Sequence, residues 1–156
     1  INSKNEIIFS SKKFSRSVVD EFYLAFDTAY GRVNYNKKIS IGKNLFDCKG
    51  NINLLEDYPI LFFDCLLVIN DVNSLLKEFS IKAKKKNEVL EINAIGNFNI
   101  LNKKINLKTI LVNNTKKILS EDLKFYKDNF ESIFFSESFL EMFNLKKIKR
   151  FILEIS

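Results

Sequence analysis

Histidine and tryptophan are absent from this 156-residue chain; proline and methionine occur once each, cysteine twice and glycine four times. Without histidine the chain lacks the commonest general base and metal ligand at neutral pH. No Ser-His-Asp triad can form, so Ser120 and Ser136 read as helix caps rather than nucleophiles. Two cysteines cannot make a four-cysteine zinc site, and neither has a histidine to activate its thiolate. Gly31, Gly42, Gly50 and Gly96 are isolated, so there is no glycine-rich phosphate loop. The longest apolar stretch, Ile60–Ile69, is interrupted by Asp64 and is too short to cross a membrane as a helix. The chain starts at Ile1 rather than Met, and the expectation is a fragment or trimmed product whose anchor or targeting segment lies outside it.

What is present is apolar and basic. Hydrophobic residues make up 46%, enough for a core, and charged residues 28%, enough for solubility; bulk disorder and collagen-like structure are excluded. The 25 basic residues outnumber the 19 acidic ones, for a net charge of +6. Such a balance favours phosphate, in nucleic acid or on lipid headgroups. Yet only Arg16, Arg32 and Arg150 carry the guanidinium fork preferred for bidentate phosphate and base contacts. The lysine excess accompanies Ile, Asn and Phe, all with AT-rich codons, and the run Lys82, Lys84, Lys85, Lys86 reads as a solvated loop. No catalytic carboxylate pair stands out. Glu56 and Asp57 sit at a predicted turn, and Asp20, Glu21 and Asp27 read as solvent-facing charges.

An internal repeat organises the chain. Gly50-Asn51-Ile52-Asn53-Leu54-Leu55 returns 46 positions later as Gly96-Asn97-Phe98-Asn99-Ile100-Leu101. A weaker copy starts at Gly31, and two copies share a following turn, Asn36-Lys37-Lys38-Ile39 and Asn102-Lys103-Lys104-Ile105. Such self-similarity predicts one supersecondary unit used again.

Each copy alternates with period two, the periodicity of a strand. Ile92, Ala94, Gly96, Phe98 and Ile100 fall on one face; Glu91, Asn93, Asn97 and Asn99 fall on the other, with Ile95 as an exception. A two-residue loop at Asn102-Lys103 would set Ile100 opposite Ile105, Phe98 opposite Leu107 and Ala94 opposite Leu111, keeping one face apolar. In the earlier copy Phe46, Cys48, Ile52 and Leu54 share a face, with Ile69, Cys65, Leu61 and Pro59 as partners and Lys49 opposite Asp64. The return strand is apolar on both sides except at Asp64 and Cys65, which predicts cover on both faces. Cys48 opposite Cys65 permits a disulfide in an oxidising compartment; as two small buried apolar side chains they need none, and that is the simpler reading.

Helices are fewer. Asp71 to Phe79 reads as a short capped helix. Ser120-Glu121-Asp122 opens a longer one with an apolar stripe of Leu123, Tyr126, Phe130 and Ile133, and a further start lies at Ser136. The tail 145–155 and the stretch 18–30 are each open between helix and strand.

The hairpins Leu45 to Leu55 and Asp57 to Phe63, followed by a short helix at Val72 to Phe79, resemble a section of an AsmA-like protein of the AsmA/TamB group. The segments Asn102 to Leu107, Ser120 to Tyr126 and Phe143 to Ile148 resemble the C-terminal end of such chains. The resemblance covers roughly residues 31–155. It implies an inner-membrane-anchored periplasmic protein of repeated β-segments, whose apolar groove carries phospholipid or aids outer-membrane assembly. It implies no cofactor and no covalent chemistry, and the family has no catalytic motif to transfer.

The expectation is therefore an α+β, mainly β fold: antiparallel hairpins in a curved, groove-like sheet, with short helices concentrated at the C-terminus. Residues 1–118 would be the β-rich part and 119–156 mainly helical. The expected function is non-enzymatic lipid handling without a cofactor, with phospholipid or a membrane surface as partner and envelope proteins beside it. The candidate lipid-facing residues are Phe46, Ile52, Leu54, Leu61, Phe63, Phe98, Ile100, Leu107 and Leu111, for which ordinary core packing is the simpler explanation. Two other classes stand beside this one: a basic nucleic-acid-binding module, disfavoured by the scarcity of Arg, and an interaction domain pairing through a sheet edge.

Overall fold

A computed structural model describes residues 2–11, 18–82, 89–134 and 145–155. Alternating sequence gives eight antiparallel strands: β1 (Ser3–Ser10), β2 (Glu21–Ala29), β3 (Arg32–Ile41), β4 (Asn44–Asn53), β5 (Ile60–Ile69), β6 (Leu90–Asn99), β7 (Lys104–Val112) and the short β8 (Lys116–Lys117). Their order in space is their order in the chain, an open curled meander. Helix α1 (Val72–Glu78) lies in the β5–β6 connection, and α2 (Ser120–Phe134) and α3 (Leu145–Ile155) follow the sheet. Among the described residues the fold is mainly β with three short helices; the alternation implies the sheet and the capping signals imply α1 and α2.

The two open stretches resolve differently. Residues 18–30 yield β2, because Phe22, Leu24 and Phe26 alternate and Tyr30-Gly31, both at positive φ, form a tight turn into β3. The tail 145–155 is helical. β1 is a further strand, paired along its length with β2. The helix start at Ser136 and most of the lysine run after Lys82 lie outside the described residues.

Five expected pairings do not form: Leu54 with Pro59 and Ile100 with Ile105 fail because Leu54 and Ile100 lie in turns, and three others are shifted. Phe46 opposes Leu67 rather than Ile69, since the register that brings Cys48 to Cys65 and Lys49 to Asp64 fixes the rest of the ladder. The β6–β7 loop is four residues, 100–103, so Phe98 opposes Ile105 and not Leu107. A bulge between Ile95 and Gly96 then shifts the register by one, Ala94 meets Ile110, and Leu111 crosses to the other face opposite Asn93. Nor are all the repeat's copies equivalent. Gly31 belongs to a turn whose carbonyl accepts from the Leu54 N–H at 2.8 Å, and Asn36 to Ile39 run through the middle of β3.

The helices close one end of the sheet. Asp71 caps α1 by accepting from the Ser74 N–H at 2.9 Å. Buried Asn44 holds this corner: its Nδ2 donates to the Ile41 carbonyl at 3.0 Å and its Oδ1 accepts from the Asp71 N–H at 3.2 Å. Leu75 of α1 and Phe79, its C-cap, pack with Ile41 and Ile69, flanked by Ile39, Phe46, Leu90, Ile92 and, from α3, Ile148. Each such side chain contributes about 2 kcal/mol by leaving water. α2 lies along β7, where Glu131 accepts from the Ile105 N–H at 2.9 Å and covers an otherwise open strand edge. Phe130 and Phe134 stack edge-on against Phe151 of α3.

Candidate functional site

The ladder sorts the side chains of β1–β7 onto two chemically different faces. One carries Lys38 paired with Asp47 at 3.4 Å and Lys49 with Asp64 at 3.7 Å. Asp64 also accepts from Asn93 Nδ2 at 2.9 Å. This is how the one acid inside the apolar stretch of β5 is accommodated. The other face is mostly apolar. One row across it reads Phe9, Phe22, Ile39, Phe46, Leu67, Ile92, Val112.

The next row contains an exception. Following the pairs from β1 to β7 it runs Ile7, Leu24, Lys37, Cys48, Cys65, Ala94, Ile110. Among the ladder-paired residues of β1–β7, Lys37 is the only charged side chain on this face; Lys116 of β8 opposes Val112 at its edge. Leu24 and Cys48 flank it across the strands; Tyr35 and Ile39 flank it along β3. No carboxylate pairs with it among the described residues. Burial alone pushes its ammonium below the ordinary lysine value, and burial likewise pushes the Tyr35 phenol up. Beside Lys37, Cys48 and Cys65 are joined in a disulfide, their Cα atoms 4.1 Å apart. The bonded state replaces the simpler reading of two separate apolar side chains.

The third row alternates aromatic rings with glycines: Phe26, Tyr35, Gly50, Phe63, Gly96, Leu107. A β-carbon at Gly50 would collide with the Phe62 carbonyl, and one at Gly96 with the Asn106 carbonyl. The backbones therefore approach at a distance only glycine permits, and the neighbouring rings fill the space. This explains why the repeat keeps glycine at both positions: β4 and β6 cross the same level of the sheet on either side of β5. A cleft of about 500 Å³ opens here towards the polar face, lined by Tyr35, Phe62, Phe63, Lys49, Asp64 and Lys108 among others.

Of the residues singled out from sequence, Phe46, Ile52, Leu61, Phe63, Phe98 and Leu107 share the apolar face. Leu54 is 55% exposed in the β4–β5 turn, Ile100 lies in the β6–β7 turn, and Leu111 is on the polar face. Ile52, Phe98 and Ile105 are buried by the chain itself, whereas Leu24, Phe26, Tyr35, Lys37 and Phe63 are half-buried and Ile7 and Phe9 exposed. The polar face also carries exposed apolar residues, Phe62, Leu66 and Ile95. Sequence reasoning missed Lys37, assigning it to a turn; the alternation Val33, Tyr35, Lys37, Ile39, Ile41 is the signal that marks it as facing inward.

Among the described residues no three His, Cys, Asp or Glu side chains are grouped to hold a metal, and no helix is long and apolar enough to cross a membrane. Compared with known proteins, the chain matches no family model, no curated protein and no solved structure.

Proposed function

We propose that this chain is a non-enzymatic lipid-handling module of the bacterial envelope, holding acyl chains against the apolar face of its sheet. One observation carries the reading: a seven-stranded face with a single charge, left half-buried over β2–β5 by the helices that close its end. Each acyl methylene that leaves water there contributes about 0.8 kcal/mol, so a few tightly placed methylenes suffice for binding. The Cys48–Cys65 disulfide supports an oxidising compartment, and with the resemblance to AsmA-like chains it favours the periplasm, with an inner-membrane anchor outside this sequence. Envelope proteins are the fitting neighbours. The ion pairs of Lys38 and Lys49 on the polar face speak against a nucleic-acid surface.

The test is native mass spectrometry of the purified chain. Co-purifying phospholipid is the expected result; lipid-free protein that also takes up none from vesicles overturns the reading. A second reading rests on β1, which has β2 on one side, no strand on the other among the described residues, and exposed Ile7, Ile8 and Phe9. Such an edge accepts a partner's strand. Concentration-dependent dimerisation abolished by Ile8→Pro, without lipid, would favour it.

A further inference from the structure

We propose that Lys37 is the headgroup anchor of the apolar face, and that the occupant is an anionic phospholipid whose phosphate meets this ammonium while its chains lie along the rows beside it. The inference rests on the acyl-chain reading above and adds the lipid class and the residue that selects it. The argument is one of charge complementarity. On the polar face of β3–β5 two lysines have acidic partners: Lys38 has Asp47, and Lys49 has Asp64. Among the described residues Lys37 has no counter-charge, and it stands between Leu24 and Cys48. A half-buried ammonium without an anion is costly to the folded chain. A phosphate arriving with its own hydrocarbon supplies the missing charge and covers the side chains around it in one step. Lys37 lies one row from Tyr35 and Phe63, so chains extending from its position run over the ring-and-glycine row.

The experiment is competition on the purified chain between dioleoyl phosphatidylglycerol and dioleoyl phosphatidylcholine, which share acyl chains and differ in net head charge, read by native mass spectrometry. The wild-type chain should retain phosphatidylglycerol with a preference of about tenfold, the size of one charge-assisted contact. Lys37→Met should hold both lipids equally, Lys37→Arg should keep the preference, and Lys49→Met on the opposite face should leave it unchanged. Millimolar inorganic phosphate should not displace the lipid; displacement would make this a free-anion site and overturn the proposal. Equal retention by the wild-type chain, or an undiminished preference in Lys37→Met, removes the role of Lys37 and leaves acyl-chain binding standing. Retention of neither lipid removes both.

Discussion

The ring of Tyr35 lies over Gly50, its Cε1 2.9 Å from where a β-carbon on that glycine would stand, and its hydroxyl donates to the Phe62 carbonyl at 3.4 Å. Ring, glycine and carbonyl thus belong to three adjacent strands locked at one level. Gly50→Ala would force a β-carbon into the Phe62 backbone, which cannot rotate away as a side chain can. The expected loss is about 2 kcal/mol or more, as for overpacked cores, measured by urea unfolding. Lys49→Ala, one residue away with its side chain largely in solvent, should cost less than about 1 kcal/mol.

The Cys48–Cys65 bridge joins directly opposed residues of β4 and β5 and encloses a separation of 17 residues. It restricts the unfolded chain, and replacing both cysteines by alanine should lower stability by about 2 to 4 kcal/mol. Alkylation of the denatured chain should modify neither cysteine until a reductant is added. Free thiols in protein purified from an oxidising compartment would contradict the pairing.

Glu131 joins α2 to the sheet through Lys104 Nζ at 2.9 Å and the Ile105 N–H at 2.9 Å. Burial pushes its carboxyl up, but the hydrogen bonds from Lys104 and Ile105, with the Lys104 and Lys127 charges, outweigh this and hold it below the ordinary carboxylate range. A depressed carboxyl contributes stability above its unfolded value, and that contribution is lost as pH falls through the folded one. Glu131→Ala should therefore cost about 1 to 3 kcal/mol at neutral pH, from the orphaned Ile105 N–H and the lost pair. The gap to wild type should narrow as pH falls below the ordinary carboxylate range towards the lowered folded value, where the wild-type carboxyl protonates. Asp128 also faces Lys104, so part of that lysine's raised value survives the substitution.

Lys37 has the opposite sign. Its ammonium is held low by burial, so the lipid-free fold is weakened while the group is charged, and stability is regained as pH rises through the lowered folded value. Tyr35 is the other titratable group facing it, and no acid does so among the ladder-paired residues. Lys37→Met should raise stability by about 1 kcal/mol in thermal melts of delipidated protein. A binding residue that costs stability fits the usual opposition between function and fold. A destabilised Lys37→Met chain would mean that the ammonium has a structural partner.

Much of the sheet is legible in the sequence because period-two alternation is a local property. Phe22-Leu24-Phe26 and Phe46-Cys48-Gly50-Ile52 declare their faces without reference to any partner, and requiring apolar to meet apolar is enough to pair Cys48 with Cys65. The caps Asp71 and Ser120 are local as well. The bulge at Ile95/Gly96 is not. It is a backbone event that inserts Lys108 between two otherwise regular ladders, and it alone moves Leu111 off the apolar face. β1 escapes notice because Ser3, Lys4, Asn5 and Glu6 break the alternation at an edge where little is buried. Lys37 escapes because Asn36-Lys37-Lys38 has the chemistry of the turn at Asn102-Lys103-Lys104, and only tertiary pairing separates the two.

Photocrosslinking decides most directly which face meets lipid. Benzoylphenylalanine at Leu24 would probe the apolar face beside Lys37; the same group at Phe62, 43% exposed on the polar face, would probe its strongest competitor. Irradiation with phospholipid vesicles should give a lipid adduct at position 24 and little at 62. An adduct at 62 alone, or equal yields at both, would contradict the assignment of the apolar face as the surface that holds acyl chains.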